Sequence, residues 1–252
     1  MSVLPVPEQK AIYVRRMFGA IAARYDRVNR VMTFGLDQGW RRFAVDEVAA
    51  AVPTDAGHVV MLDVGTGTGD FLPLLRRVLP DATVVGVDFS LPMMQAGWSK
   101  AAGPGGGGFT GGDALRLPFP DDAFDGVTTG FTMRNVADLP AALQEMLRVT
   151  RPGQRLACLE VAQPANALIR AGHQVYFNRV VPLLAGAISG NRTAYTYLPQ
   201  SAQRFPLPDE LCKLLRAAGW SNPRYHLLGL GAVAVHVAEK LTTDHGPRTT
   251  DE

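Results

Sequence analysis

The sequence predicts an α/β fold, a mostly parallel sheet of seven strands with helices on both faces. Three observations predict it. Short apolar runs alternate with helix-like stretches between residues 58 and 161, the pattern of a parallel sheet with right-handed crossovers. A glycine-rich turn, Asp63-Val64-Gly65-Thr66-Gly67-Thr68-Gly69-Asp70, joins the first such strand to its helix. Two β-rich runs near the end, Tyr225–Leu228 and Ala232–Glu239, suit an antiparallel hairpin that closes the sheet.

The elements follow in order. Val14, Met17, Phe18, Ile21, Ala22 and Tyr25 recur at helical spacing, and a second apolar-basic stretch, 31–51, stops at Pro53. Residues 1–52 therefore read as an amphipathic helical appendage. It holds eight basic against three acidic side chains up to Arg42, in a chain of net charge +2, so the remainder is acidic and the basic surface is local. Strands are expected at 58–64, 83–88, 109–111, 124–129 and 155–161. Helices are expected at 71–78, 92–101 and 139–149, with a flexible loop at Gly103–Gly108. A long apolar helical stretch, Asn166–Ser189, is interrupted by Pro182, and the helix Pro208–Ala218 ends at Gly219. The core runs over 53–240 with an insertion at about 162–206, and 241–252 is a flexible tail.

Composition narrows the function. Nearly half of the 252 residues are hydrophobic, too many for a disordered chain. Cys158 and Cys212 form no disulfide framework, and the five histidines have no ligand spacing, so no metal is expected. No signal peptide or membrane span is read, and a cytoplasmic location is expected. No basic stripe with interleaved aromatics extends past the first segment, which argues against nucleic acid.

The glycine turn carries the chemistry. Glycines let a ligand approach the backbone at the carboxyl end of a strand. Asp88 ends the next strand, where an acid bonds a ribose hydroxyl pair. A dinucleotide loop would need glycine at the place of Asp70, and no Gly-Lys-Ser or Gly-Lys-Thr is present. Asp63 and Asp70 would oppose a pyrophosphate but suit a cationic, phosphate-free adenosine ligand. Asp113, after the third strand, is either a turn residue or a partner for an adenine amino group.

DVGTGTGD (63–70), GVDFS (86–90) and GDALRLPF (112–119) together resemble class I S-adenosylmethionine-dependent methyltransferases, which have a Rossmann-like fold. A narrower resemblance runs over nearly the whole chain. Met17–Arg42, Gly130–Gln154 with Leu159-Glu160, AYTYLPQS at 194–201 and GAVAVH at 231–236 are similar to signatures of the ubiquinone/menaquinone biosynthesis methyltransferase family. That resemblance implies S-adenosylmethionine as cofactor, with contacts at Thr68, Asp88, Asp113 and Ala114; the glycine turn adds Asp63, Gly65 and Gly67. It makes residues 1–52 a lid and 162–206 part of an acceptor pocket. The chain departs from the family pattern at Asp37 (often His), Gly130 (often Ser) and Gln154 (often Gly). Glycine-Thr-glycine-Thr-glycine at 65–69 is closer to the menaquinone-pathway members.

The implied reaction is methyl transfer to a ring carbon of a prenylated demethylquinol, demethylmenaquinol first, with benzoquinol or another small aromatic or lipid metabolite as alternatives. A non-catalytic cofactor-binding partner is opposed by the intact loop. A quinol carbon becomes nucleophilic as its hydroxyl loses a proton, so a cation that favours the anion is needed. Arg134, just after the fourth strand, is the candidate, with Asn135 orienting it or a water; the plain alternative is a salt bridge from Arg134 to a helix acid such as Glu145. Tyr25, Tyr176, Tyr195, Tyr197, His173 and Glu160 are secondary candidates for pocket walls. His236 reads as a core histidine. The basic N-terminal helices are expected to offer peripheral contact at the inner face of a membrane, and the 166–189 stretch is an apolar wall, a buried helix or a homodimer surface.

Overall fold

The computed structural model describes residues 7–103, 105–181, 183 and 192–242, without the side chains of 7, 8, 192–196 and 198. Pro182, all of 184–191 and residues 243–252 of the expected tail lie outside the described residues. The seven strands are β1 (Val60–Val64), β2 (Thr83–Asp88), β3 (Gly107–Gly111), β4 (Gly126–Gly130), β5 (Arg155–Val161), β6 (Ser221–Leu228) and β7 (Val233–Glu239). They form one sheet in the order β3-β2-β1-β4-β5-β7-β6. The first five are parallel, and β7 pairs antiparallel with both β5 and β6. β1 and β4 lie at the centre and are almost wholly buried; β1 is mostly apolar, whereas β4 carries Thr128 and Thr129, whose hydroxyls bond to β1. The loop expected at Gly103–Gly108 gives its last two glycines to β3, where they pair with Val84 and Val85.

One face is covered by α7 (Leu139–Val149) and α10 (Pro208–Ala217). Asp138 caps α7 by accepting from the Ala141 N–H at 3.0 Å. Ala142, Leu143, Met146 and Val149 then recur on one stripe against Val127, Leu156 and Cys158. Pro208 starts α10, and Glu210 accepts from the Leu207 N–H at 3.0 Å. The other face is covered by α4 (Leu72–Val78) and by α3 (Leu36–Ala49), whose Ala44, Val45 and Val48 pack on Met61, Ala157 and Val235.

Residues 1–52 are therefore not one appendage. α3 belongs to the core, and only α1 (Pro7–Ile21) and α2 (Tyr25–Met32), joined by a short turn, lie over the carboxyl ends of the strands. They form a separate cluster in which Val14, Met17, Phe18, Ile21 and Val28 meet Met93 of α5 (Leu91–Ala96) and Tyr197 of α9 (Arg192–Arg204). Gly97 separates α5 from α6 (Trp98–Ala101), dividing the single helix expected at 92–101. Past β5, α8 (Ala167–Val175) opens into a wider π-type turn at Tyr176–Val180. Among the described residues, no helix is long and apolar enough to cross a membrane.

Candidate active site

The glycine turn is pinned to β2. The N–H groups of Gly65 and Thr66 both donate to the Val87 carbonyl, at 2.8 and 3.0 Å. Asp88 braces the other side: its Oδ2 accepts from the Gly67 N–H at 2.8 Å and its Oδ1 from the Ser90 N–H at 2.7 Å. Gly65 has φ 67°, and a Cβ there would lie 2.1 Å from the Thr132 Cγ2, so the turn needs glycine for both conformation and space. Asp63, Gly65, Gly67, Thr68 and Asp88 line one cleft of about 560 Å³. Asp113 and Ala114 lie outside that lining. They follow β3, next to the strand that ends in Asp88, and the Gly112 N–H donates to the Asp88 carbonyl oxygen at 3.1 Å. The Asp113 side chain is exposed and accepts from the Leu115 N–H at 3.0 Å, as a turn residue does.

Three acids in or beside the cleft are tuned differently. Burial pushes the Asp63 carboxyl up to about 7, against the pull of Thr66, of Thr128, whose hydroxyl donates to its Oδ1 at 3.0 Å, and of the Arg41 charge. Its Oδ2 is buried without a hydrogen-bond partner among the described residues, an expensive arrangement unless something cationic approaches. Burial also raises the Asp88 carboxyl, against the pull of its two backbone donors. For Asp70, burial works upward, but Arg41 and Lys100 outweigh it and hold the carboxyl below its ordinary value.

Lys100 ties α2 to the glycine turn, and Arg41 ties α3 to it. Lys100 Nζ donates to Asp26 of α2 at 2.5 Å and to Asp70 at 2.6 Å. The Thr68 hydroxyl donates to the second oxygen of Asp26 at 2.5 Å. Arg41, buried on α3, faces Asp70 at 3.7 Å and Asp37 at 3.8 Å, and its guanidinium lies 5.1 and 5.4 Å from the Phe71 and Phe131 ring centroids. Asp26, Lys100 and Arg41 were not anticipated as site residues. Arg41 falls inside the Met17–Arg42 signature, which was the only signal for it; nothing in the local pattern around Lys100 marks it.

A second, larger and mainly apolar cavity of about 1220 Å³ adjoins the first. Tyr25, Arg41 and Phe131 line both and form the wall between them. Its sides come from Met32, Trp40, Val161 and Phe177, and its polar groups are Asn29, Thr33, Asp37, Arg134, His173 and Tyr176. Asp37 is buried and accepts from the Thr33 hydroxyl at 2.9 Å and from Gln38 at 3.1 Å. Burial lowers the His173 pKa, keeping the imidazole neutral at neutral pH, and burial raises that of Tyr25. The Tyr176 hydroxyl is spent on the Met32 carbonyl at 2.8 Å.

Arg134 and Asn135, adjacent in sequence, face different spaces. Asn135 borders the glycine-turn cleft and has its amide fully engaged, donating to the Phe131 carbonyl at 3.0 Å and accepting from the Tyr197 hydroxyl at 3.1 Å. Arg134 lines the apolar cavity. Its salt bridge runs to Glu160 on β5, 2.7 Å from Nη1, and not to Glu145, which is taken by Arg148 and the Leu117 N–H. The pair is almost completely buried, and the Arg134 Nε has no partner among the described residues. Tyr197 is buried, and burial pushes its hydroxyl up to about 12. The Tyr195 side chain lies outside the described residues. His236 is a core residue whose Nε2 is 3.1 Å from the Pro208 carbonyl oxygen.

The sequence and the fold are similar to those of known proteins. The chain is 56% identical over 239 residues to the demethylmenaquinone methyltransferase of Roseiflexus castenholzii, covering 95% of this chain and 98% of that one. It is 46% identical to the demethylmenaquinone methyltransferase of Thermus thermophilus over 89% of this chain and 100% of that one. It is also 42% identical to the ubiquinone/menaquinone biosynthesis C-methyltransferase UbiE of Desulfotalea psychrophila, over 88% of each. Among solved structures, the fold is shared with the methyltransferase bound to the Haloferax volcanii Trm112 activator, at TM-score 0.59 and 19% identity over 89% of this chain and 98% of that one. Human N-acetylserotonin methyltransferase, solved with its methyl donor, shares it at TM-score 0.56 and 17% identity over 87% and 58%. The sequence profile of the ubiE/COQ5 methyltransferase family matches residues 6–240, and with relatives this similar over their full length the chain belongs to that family.

Proposed function

We propose that this enzyme transfers a methyl group from S-adenosylmethionine to a ring carbon of a prenylated demethylquinol, with demethylmenaquinol as the acceptor. The observation that carries the reading is the pair of adjoining cavities: a polar cleft at the glycine turn and a large apolar one, sharing the wall of Tyr25, Arg41 and Phe131. The residues present fit the cofactor. The unpartnered Oδ2 of Asp63 suits a cationic group, Asp88 suits a ribose, and Gly65, Thr66 and Gly67 line the same cleft. Thr68 would complete this wall, and Asp113 with Ala114 would meet the adenine at the end of β3.

When bound, the cofactor supplies an electrophilic methyl group. The protein's own task is to hold the acceptor as an anion with its ring carbon facing the cleft. Arg134 is the group for the quinol oxygen: it is fixed by Glu160 and its charge favours the ionised oxygen. It remains protonated and is not the base. Asn135 holds the Phe131 segment and Tyr197 in place, so its role is positioning. His173 and Asp37, on the cavity wall, are the groups able to accept a proton there. The apolar sides of the cavity suit a prenyl chain, and the enzyme would work at the inner membrane face, where its acceptor resides.

Purified enzyme with labelled cofactor and demethylmenaquinol, kept reduced, is expected to yield methylated naphthoquinol by mass. A faster reaction with the corresponding benzoquinol would move it to the ubiquinone branch, and equal transfer to the oxidised quinone would defeat the quinol chemistry.

A further inference from the structure

We infer that the mouth of the apolar cavity is a bilayer-docking surface, in which Phe34 and Leu230 enter an anionic lipid surface and Arg27 and Arg30 meet its headgroups. The inference rests on the proposed function only for what passes through the mouth; the docking itself is a separate property.

Phe34 and Leu230 are 78% and 80% exposed, yet both line the same cavity from segments almost 200 residues apart. Single exposed apolar residues are ordinary. These two are not, because each is held outward by a left-handed backbone that bulky side chains rarely adopt, at φ 53° and 58°. Each tip is built in. Phe34 follows α2, where the Gly35 N–H closes on the Arg30 carbonyl at 2.8 Å. Leu230 stands between Gly229 and Gly231, where an added Cβ would meet Trp40 at 2.9 Å and Pro164 at 3.2 Å. The backbone around Leu230 is thus pressed against the wall of the cavity while its side chain projects. Leu36, also exposed, continues the rim.

Charge selects the occupant. Arg27, Arg30 and Val31 recur at the spacing of one exposed helix stripe that leads to Phe34. Neither arginine is in an ion pair within 4 Å among the described residues, although Arg30 is near enough to Asp70 to help lower its carboxyl, and the one acid on the cavity wall, Asp37, is buried beside Arg41. Apolar tips flanked by exposed cations match a bilayer of anionic phospholipid. A prenyl chain leaving the cavity between the tips would then pass from protein to hydrocarbon without crossing water.

Full-length protein sedimented with phosphatidylglycerol-containing vesicles tests the proposal. Binding is expected, weaker at high salt and at least tenfold weaker for the F34S/L230S double variant; R27Q/R30Q should lose most of the salt dependence. Equal partition of the double variant and the parent, or no binding by the parent, would overturn it. Should the double variant misfold, Phe34→Cys carrying an environment-sensitive dye replaces it, since Cys158 and Cys212 are buried. A blue shift on adding anionic vesicles is expected. An unchanged spectrum, or a dye already shielded in a lipid-free dimer, would refute docking. Methyl transfer in detergent micelles reads the proposed function independently, so the two can fail separately.

Discussion

The two adjoining cavities are built by opposite strategies. The glycine-turn cleft is built mainly at the ends of three adjacent strands, from 63–71, 88–90 and 130–135, with Val14, Phe18 and Tyr25 of the first two helices over them. The apolar cavity uses side chains from five distant segments, from Tyr25–Arg41 to Gly229–Val233. The first is a property of the fold's topology, at the carboxyl ends of parallel strands. The second is a property of what this chain adds to the fold. On the proposed function, chemistry common to many methyl acceptors would reside in the first and acceptor choice in the second.

Arg134 belongs to the apolar cavity, and removing it should have the largest effect. Arg134→Gln leaves the Glu160 carboxylate buried without its cation, which costs about 3–5 kcal/mol when one partner of a buried pair is lost. Denaturant unfolding should register that loss. Restoring neutrality with Arg134→Gln/Glu160→Gln should recover most of the stability but not turnover if Arg134 holds the acceptor oxygen. Recovery of both would make the pair purely structural and shift the acceptor-binding role elsewhere.

A smaller effect is expected on the cleft side. Gly65→Ala places a Cβ against Thr132, whose hydroxyl donates to the Gly65 carbonyl at 3.0 Å, in a left-handed conformation. Strain and displacement of that kind cost about 1–3 kcal/mol. Cofactor affinity measured by calorimetry should fall by roughly ten- to a hundredfold, with little change in acceptor preference. A change in the ratio of naphthoquinol to benzoquinol would show that the two cavities are not separable.

The difference in construction also explains what could be read from sequence. All seven strands were legible from short runs between turns, although β3 and β6 begin two and four residues earlier than expected because their first residues are glycine or polar; Asp63, Gly65, Gly67 and Asp88 came with the strand ends, and Thr68 with the family resemblance. Asp113 and Ala114 followed the same logic, yet the strand end left them beside the cleft lining, with Asp113 engaged in its own turn. Side-chain partnerships over long separations were not legible. The plain alternative for Arg134 was a helix acid such as Glu145, whereas register puts Glu160 of β5 beside the segment that follows β4. Lys100 looks like any surface helix residue until folding sets it between Asp26 and Asp70, which lie 74 and 30 residues away. α3 read as part of the amphipathic appendage because its arginines mask a stripe, Ala44-Val45-Val48, that covers the sheet.

Asp63 offers the finest test, because its effect on ligand and on fold should run in opposite directions. Its carboxyl, raised by burial to about 7, is protonated in the free protein below that pH and must ionise to meet a cationic ligand. Cofactor affinity should therefore be about tenfold weaker at pH 6 than at pH 8, the ratio expected for one group titrating near 7. Asp63→Asn should flatten that dependence. For the fold, the native state holds this proton more tightly than the unfolded chain does. Its stabilising contribution is full below about pH 4 and is lost as the pH rises towards 7. Asp63→Asn should accordingly stabilise the ligand-free protein most at pH 8 and least near pH 4. His236 works the other way: burial lowers it to about 4, so its contribution is present above about pH 6.5 and lost as the pH falls through 4. The difference between Asp63→Asn and the parent cancels the histidine and isolates the aspartate. A difference that is flat with pH would mean that Asp63 is ionised throughout and already satisfied, and the cleft would then have no vacant acceptor for a cation.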